Sequence, residues 1–292
     1  MNPSRLSALV VSCLLFGATM WGIIWYPYRL LQQRGVSGEI STLFSYAVPL
    51  LIFAWFHLKD LKAARRSWGL LLGIGLAAGW TNMSYVLSVL QGEILRVLLL
   101  FYLAPLWTVL FARLWLAERL NRWGYGVMAM SISGAMIMLW PPHGGFPLPA
   151  NKAEWLALTA GMSFALANVL TRKAGTVTLG AKAVAVWAGV TLVSLLALTL
   201  EPGQWAFVAS ATPVTWGALL GVGLLIAAMT YAVQYGLSHA PANQAIIIFL
   251  FELVVAAVSS YFLADEALSL QEWIGAALII AGSLFSGHIE DR

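Results

Sequence analysis

Long stretches without a charged side chain recur through this sequence and decide what it can fold into. They cover residues 6–28, 40–58, 67–92, 97–112, 123–151 and 202–251. About 20 apolar residues in a helix span the ~30 Å core of a bilayer, and each stretch reaches or approaches that length. Strands of a membrane barrel would alternate apolar and polar residues, whereas these runs are continuous. With 61% hydrophobic residues and a mean hydropathy of +0.83, the chain is predicted to be an all-α integral membrane protein.

Charge clusters and Gly/Pro turns divide the chain into ten predicted spans. These lie near residues 6–28, 40–58, 67–90, 94–117, 123–140, 153–173, 180–200, 213–238, 243–264 and 271–287. Twelve of the 16 Lys and Arg residues fall on the side of the two termini, and the other side has only Arg29, Arg34, Arg96 and Lys152. Because basic loops stay in the cytoplasm, both termini are predicted to be cytoplasmic in a multi-pass protein of a bacterial inner membrane.

One segment occurs twice. Residues 67–76 (SWGLLLGIGL) and 215–224 (TWGALLGVGL) are identical at seven of ten positions, at an offset of 148. A weaker similarity lies near the end of each half, at Leu116-Ala117-Glu118 and at Leu263-Ala264-Asp265-Glu266. A unit of five helices is odd, so the second copy enters the membrane from the opposite side, as in many secondary transporters. The prediction is a five-helix repeat at 1–140, an external linker at 141–152 and an inverted repeat at 153–292, around a central cavity.

Glycines punctuate the third and eighth predicted helices, at positions 69, 73, 75 and 79 and at positions 217, 221 and 223. Small residues at such spacing let helix backbones approach closely in lipid. The pattern predicts tight packing. It leaves open whether these helices also slide against a neighbour during transport.

A proline and a glutamate stand at a fixed spacing in the first half. Pro105 precedes Glu118 of Leu-Ala-Glu-Arg-Leu by thirteen positions, Gly126 and Gly134 follow, and a second copy begins at residues 265–275. In these residues the chain resembles the ten-helix branch of the drug/metabolite transporter superfamily, which has paired EamA-type domains. Its many Trp and Tyr residues make it most similar to the YddG-type exporters of aromatic amino acids. The second copy departs from the pattern, since it lacks the proline, carries Glu252 nearby and is one residue longer before its first glycine.

The resemblance implies a cavity lined by the first, third, fourth, sixth, eighth and ninth helices, with the fifth and tenth more peripheral. The polar and aromatic residues of those helices form the predicted substrate-binding set: Trp21, Thr81, Asn82, Tyr85, Tyr102, Ser163, Asn168, Tyr231, Gln234 and Tyr235. Buried amides and phenols cost energy unless paired, so each either lines the cavity or joins two helices by a hydrogen bond. Trp21, with Trp25, Tyr26 and Tyr28, also suits the aromatic belt at the membrane surface.

Glu252 is the acidic residue placed in the middle of a predicted span. An intramembrane carboxylate is a candidate for proton coupling or for binding a substrate amine, and a structural hydrogen bond is the alternative. At the external hairpin, Glu93 and Arg96 form either a gate or a solvated pair at i, i+3.

Several kinds of chemistry lack their residues here. The sequence has no G-x-x-x-x-G-K-[ST] for ATP and no H-E-x-x-H, and its one cysteine, Cys13, gives no disulfide framework. We therefore expect a monomeric transporter rather than an enzyme, without cofactor, metal or nucleic-acid partner. The leading hypothesis is a secondary transporter or facilitator that exports amino acids, aromatic or large and apolar, by alternating access. Alternatives are proton-coupled export of cationic drugs, nucleotide sugars or other metabolites, and an intramembrane enzyme or scaffold.

Overall fold

Helices make up the regular structure that a computed structural model of the chain describes. The described residues are 6–91, 97, 100–140, 149, 151–200, 202–264 and 269–285. Their α-helices are α1 Ala8–Ile23, α2 Trp25–Gln33, α3 Gly38–Phe53, α4 Leu58–Ala63, α5 Trp68–Gln91, α6 Ala104–Trp115, α7 Arg122–Leu139, α8 Lys152–Lys173, α9 Leu179–Leu200, α10 Ala206–Ser210, α11 Pro213–His239, α12 Ala242–Phe249, α13 Phe251–Ala264 and α14 Leu270–Phe285. Short 3-10 segments at Ala54–His57, Ala64–Ser67 and Pro202–Trp205 join neighbouring helices.

In the described part of the chain, six helical segments are long and apolar enough to cross a membrane. They are Ala8–Gln33, Gly38–Ser88, Lys152–Lys173, Leu179–Leu200, Pro213–His239 and Ala242–Leu263. At 1.5 Å per residue the 51 residues of Gly38–Ser88 would measure about 76 Å, more than twice the thickness of a bilayer core. Helix α3 packs against α5, so this segment is folded back on itself. It corresponds to the two spans predicted at 40–58 and 67–90.

Side chains at the helix starts explain several boundaries. Six of the described helices begin after a Ser, Thr or Asn whose oxygen accepts a hydrogen bond from the backbone N–H three residues later, which satisfies one of the free donors of the first turn. These residues are Ser7, Ser37, Asn121, Asn151, Thr178 and Thr212. The observed starts therefore follow local hydrogen bonding as well as hydropathy.

Three helices that the sequence predicts to be continuous are interrupted. The first breaks at Ile24, the fourth at Tyr102 and Leu103, and the ninth at Leu250. In the fourth, Pro105 has no N–H and its ring crowds the carbonyl of residue 101, so a break there has a local cause. In the ninth, the N–H of Leu250 lies 3.2 Å from the carbonyl oxygens of both Ile246 and Ile247, a tightened turn that forms without a proline.

The helices pack in a repeating pattern. Helix α5 contacts α8 and α9, while α11 contacts α1 and α3; α6 contacts α8, while α1 contacts α13. Two further pairs, α3 with α9 and α7 with α14, complete the main contacts. The ten predicted spans can be numbered in chain order and each exchanged with the span five places away. This exchange turns the contact of α5 with α8 into that of α11 with α1, and the contact of α5 with α9 into that of α11 with α3. It also turns the contact of α6 with α8 into that of α13 with α1.

Some glycines mark close approaches of helix backbones, as the small-residue pattern predicts. A Cβ on Gly75 would lie 2.6 Å from the carbonyl oxygen of Ala185, and one on Gly79 would lie 2.6 Å from that of Gly189, so α5 and α9 touch backbone to backbone. Gly223, which the repeat pairs with Gly75, is equally close to a neighbour, since a Cβ there would lie 2.6 Å from Cβ of Val48 on α3. By contrast, Gly69, Gly217 and Gly221 have nothing within 4 Å. The two copies of W-G-x3-G-x-G therefore share a close approach at their last glycine and open space at their first.

Candidate functional site

The breaks in the fourth and ninth predicted spans, which lie just before α6 and between α12 and α13, occupy equivalent positions. Tyr102 and Leu250 are separated by 148 residues, which is the offset of the sequence repeat. Interrupted helices expose backbone polar groups that cannot face lipid, so such breaks occur where protein or a water-filled cavity surrounds them. The two breaks therefore mark a candidate substrate site.

Three predicted site residues meet at these breaks. The phenol of Tyr102 lies close to the carboxylate of Glu252, which is two residues beyond the break in the ninth helix. Tyr85 on α5 lies within electrostatic range of the same carboxylate. Tyr102 is buried, whereas Tyr85 and Glu252 keep part of their surface exposed. The structure therefore places a carboxylate near two phenols contributed by different helices.

Aromatic rings line one side of this cluster. The ring of Phe101 lies 5.0 Å from that of Tyr85, 5.3 Å from that of Tyr102 and 5.7 Å from that of Phe164, measured between centroids. Phe164 in turn lies 5.7 Å from Phe249. Stacked and edge-on pairs at such distances are attractive by ~0.5–1.5 kcal/mol beyond burial. The result is an apolar aromatic wall beside one carboxylate, a combination that can hold a cation with an apolar side chain.

The phenylalanines of this wall were not among the predicted site residues, although the internal repeat points to two of them. Phe101 and Phe249 are separated by the repeat offset of 148, so both copies carry phenylalanine at the point of the break. Helix α8 approaches Phe101 closely, since a Cβ on Gly161 would lie 3.1 Å from the Cα of Phe101. Gly161 therefore allows Phe164, one turn further along α8, to reach the wall.

The other predicted residues of the third helix form internal hydrogen bonds. Asn82 accepts a hydrogen bond from the hydroxyl of Tyr46 at 2.9 Å and donates one to the carbonyl oxygen of Ala78 at 2.8 Å. Thr81 donates to the carbonyl oxygen of Ala77 at 2.8 Å. In this conformation Asn82 joins α5 to α3 by a hydrogen bond, which is the alternative to lining the cavity.

The predicted patch on the eighth span, which is α11 in the structure, is divided between two environments. Tyr231 forms a short hydrogen bond with Nε2 of His57 and packs edge-on against Trp187 at 5.5 Å. Tyr235 stacks on His239 at 4.3 Å and belongs to the apolar cluster around α1. The two tyrosines therefore do not join the Tyr102 cluster in this conformation.

The buried amides form a further group. Asn168 is 4% exposed, Gln234 4% and Gln244 7%. Nδ2 of Asn168 and the Oε1 atoms of Gln234 and Gln244 have no hydrogen-bond partner among the described residues. They belong to α8, α11 and α12, which contact one another. Gln244 was not among the predicted residues.

The remaining predicted residues lie elsewhere. Trp21 is partly buried in the cluster around α3 and α9, and Ser163 is partly buried on α8. Next to Trp21, the indole N–H of Trp25 donates to Oγ of Ser259 at 3.0 Å and joins α2 to α13. Glu93 and Arg96, the predicted gate, lie outside the described residues.

A charged cluster that the sequence analysis did not anticipate lies at the end of the bundle predicted to be cytoplasmic. Oε2 of Glu118 accepts a hydrogen bond at 2.9 Å from the N–H of Ala242, the first residue of α12, and Oε1 lies 3.6 Å from Nε of Arg172. Nζ of Lys182 donates to Oγ of Ser238 at 2.7 Å, and Nη1 of Arg172 donates to the carbonyl oxygen of Ser238 at 2.9 Å. Burial raises the pKa of Glu118, while the N–H of Ala242 and the guanidinium of Arg172 oppose that rise.

An unusual backbone angle positions Glu118. The preceding residue, Ala117, has φ of 57°, in the left-handed region that favours glycine. The N–H of Glu118 donates to the carbonyl oxygen of Ala112 at 3.3 Å, which closes the end of α6. The turn directs the carboxylate to the start of α12, where the helix dipole favours a negative charge. Among the described residues, no three His, Cys, Asp or Glu side chains are grouped so as to hold a metal ion.

Known proteins share this fold and sequence pattern. An uncharacterised transporter of Archaeoglobus fulgidus is 25% identical over 238 residues, which cover 79% of this chain and 80% of the relative. An uncharacterised transporter of Pseudomonas aeruginosa is 24% identical over 180 residues, covering 58% of this chain and 56% of that one. A protein of known crystal structure has the same fold, with a TM-score of 0.76 over 96% of both chains and 18% sequence identity.

The sequence pattern of the EamA-like transporter family matches twice, at residues 8–140 and at residues 151–287. The two matches together cover most of the chain. They also contain all the helices described above, including the interrupted ones. This protein therefore belongs to the EamA-like transporter family and is a multi-pass membrane transporter.

Proposed function

We propose that the chain forms ten membrane spans in two inverted five-helix halves. The exchange pattern of the helix contacts supports this arrangement: α5 with α8 corresponds to α11 with α1, and α6 with α8 corresponds to α13 with α1. The equivalent breaks at Tyr102 and Leu250 support it independently. Inverted halves place two related surfaces around one midplane site, and rocking of one against the other gives alternating access.

The cargo that we propose is an amino acid with an aromatic or large apolar side chain, exported from the cytoplasm by a monomer, as in the YddG-type exporters. The observation that carries this proposal is the position of Glu252, close to Tyr102 and beside the aromatic wall of Phe101, Phe164 and Phe249. A carboxylate suits the ammonium group of such a substrate. The wall suits its ring, because aromatic faces attract both rings and cations.

In this proposal the phenol of Tyr102 holds the carboxylate of Glu252 until a substrate ammonium replaces it. A carboxylate at membrane depth that is left without a partner is costly, so the exchange of one donor for another costs less than a bare charge. Tyr85 stays beside both groups, where its ring, next to Phe101, contacts the substrate. Substrate binding and rearrangement of the two broken helices are thereby linked.

The test is efflux of labelled tryptophan and phenylalanine from proteoliposomes. Glu252→Gln and Tyr85→Ala should each lower the efflux rate about tenfold or more, because each removes a contact with the substrate. Tyr261→Ala is the matched control, since Tyr261 lies on α13 with Glu252 but is 48% exposed on the outer surface, and it should leave efflux unchanged. Absence of flux for every amino acid would refute the proposed cargo.

A second candidate function is proton-coupled export of cationic compounds, which the same carboxylate favours. Protonation of Glu252 would then alternate with binding of the cation. An imposed pH gradient should drive efflux in the wild-type protein and not in Glu252→Gln. Equal efflux with and without the gradient would exclude coupling through this residue.

A further inference from the structure

The charged cluster at the end of the bundle predicted to be cytoplasmic contains more positive than negative charge. Lys182 is completely buried, and no described carboxylate lies within 4.0 Å of its Nζ atom. Among the described residues, the ion-pair partner of Glu118 is Arg172. Burying an ammonium group with only a hydroxyl partner is costly, so this place favours a further anion.

The carboxylate already present comes from the other half of the chain. Glu118 lies in the first family match, residues 8–140, whereas Arg172, Lys182 and Ala242 lie in the second, residues 151–287. It reaches them through the left-handed turn at Ala117. Glu118 is thus an internal carboxylate held by a guanidinium and by the start of a helix, which are typical partners of a bound anion.

Unpaired polar atoms lie one helical turn deeper. Asn168 precedes Arg172 by four residues and shares its face of α8, and Gln234 precedes Ser238 by four residues on α11. Their amides, and that of Gln244 on α12, are more than nine-tenths buried and have unpartnered atoms. Such atoms are costly in a protein interior, and a polar ligand moving inward from the cluster would supply their partners.

We propose that Arg172, Lys182 and the N-terminus of α12 form a mouth subsite that binds the carboxylate of the incoming substrate, and that Glu118 occupies this subsite when substrate is absent. The proposal rests on the amino-acid cargo proposed above. Arg172 is eight residues from Phe164, about 12 Å along α8, so the mouth subsite is distinct from the Tyr102–Glu252 cluster. Exchange of Glu118 for a substrate carboxylate would release the contact between the two halves.

A pair of probes that lack an amino group tests the carboxylate alone. 3-Phenylpropionate and 3-phenylpropionamide have the same shape, and only the first carries a charge. The melting temperature of the purified full-length protein is measured as each is titrated. The carboxylate should raise it at a concentration about tenfold or more below that of the amide, since a hydrogen bond to a charged group is worth ~1.5–3 kcal/mol.

The variants distinguish ligand binding from a structural role. Lys182→Gln and Arg172→Gln should abolish the preference for the carboxylate. Lys173→Gln, which removes an exposed cation at the same end of α8, should preserve it. Glu118→Gln should strengthen the preference, because the internal competitor is gone, whereas a purely structural Glu118 would give no gain. Should Lys182→Gln fail to fold, Arg172→Gln, whose side chain is partly exposed, supplies the same comparison.

Parallel efflux assays separate the two proposals. A Lys182-dependent preference for the carboxylate without amino-acid flux would uphold the mouth subsite and refute the proposed cargo. Amino-acid flux without any preference for the carboxylate would overturn the mouth subsite. Weaker carboxylate binding in Glu118→Gln would also overturn it.

Discussion

Substituting Gly79 by alanine tests whether the contact between α5 and α9 has the tightness that the structure gives it. A Cβ at this position would lie 2.6 Å from the carbonyl oxygen of Gly189 and 2.7 Å from Cγ2 of Val193. Ordinary van der Waals contact begins at 3.4 Å, so the two helices would have to separate by about 0.8 Å. Overpacking of this kind typically costs ~1–3 kcal/mol.

An open glycine in another long helix supplies the control for this substitution. Gly221, on α11, is exposed and has nothing within 4 Å of a built Cβ. Alanine there gains helix propensity, up to about 1 kcal/mol, and meets no obstacle. Gly79→Ala should therefore lower the free energy of unfolding and Gly221→Ala should leave it unchanged or raise it.

The single cysteine provides the assay. Cys13 lies partly buried in α1, so a thiol-reactive fluorophore that labels it during heating in detergent follows unfolding. Helix α5 lies in the first family match and α9 in the second. The efflux rates of the same variants therefore also test whether this contact affects transport. Equal melting temperatures for Gly79→Ala and the wild-type protein, or a comparable loss in Gly221→Ala, would refute the reasoning.

Three further predictions concern hydrogen bonds between elements. Trp25→Phe removes the indole donor to Ser259, so the free energy of unfolding should fall by ~0.6–1.7 kcal/mol in a denaturation assay; no change would argue against that bond. Tyr231→Phe loses only the bond to His57, so it should lower the melting temperature slightly and leave substrate affinity intact, whereas a tenfold loss of affinity would return Tyr231 to the binding site. Burial raises the pKa of Glu118, so the stability from its carboxyl is fully present below its unfolded-state pKa and is lost as the pH rises through its folded-state pKa. The melting temperature of the wild-type protein relative to Glu118→Gln should therefore decrease with rising pH, and an increase would contradict the assignment.

Much of the helical layout could be predicted from the sequence, because membrane spans follow from continuous apolar length. The observed bounds of α5, α8, α9 and α11 differ from the predicted ones by one residue. The break at Leu250 could not be predicted in this way, since Leu250 lies in an apolar run without proline or glycine. The break depends on tertiary packing, which a hydropathy pattern does not describe.

The candidate site was predictable in part. Tyr85, Tyr102 and Glu252 were identified as polar residues at membrane depth, and the structure brings these three together. Their association depends on how distant helices cross, which residue type alone does not specify. Lys182 was counted only as a loop cation, because a single charge at a helix end normally faces water. In the structure Lys182 is completely buried, and its Nζ donates to Ser238 on α11.

The contact between α7 and α14 joins the last helices of the two family matches. In a homodimer of identical five-helix units, the same two helices would meet in an isologous interface, in which each contact occurs twice. Here Gly134 approaches Gly275, whereas Gly282 approaches the hydroxyl of Ser131. Because both helices here belong to one chain, a substitution at one of these contacts occurs once and not twice, so the two halves can differ at this contact in a way that the subunits of a homodimer cannot.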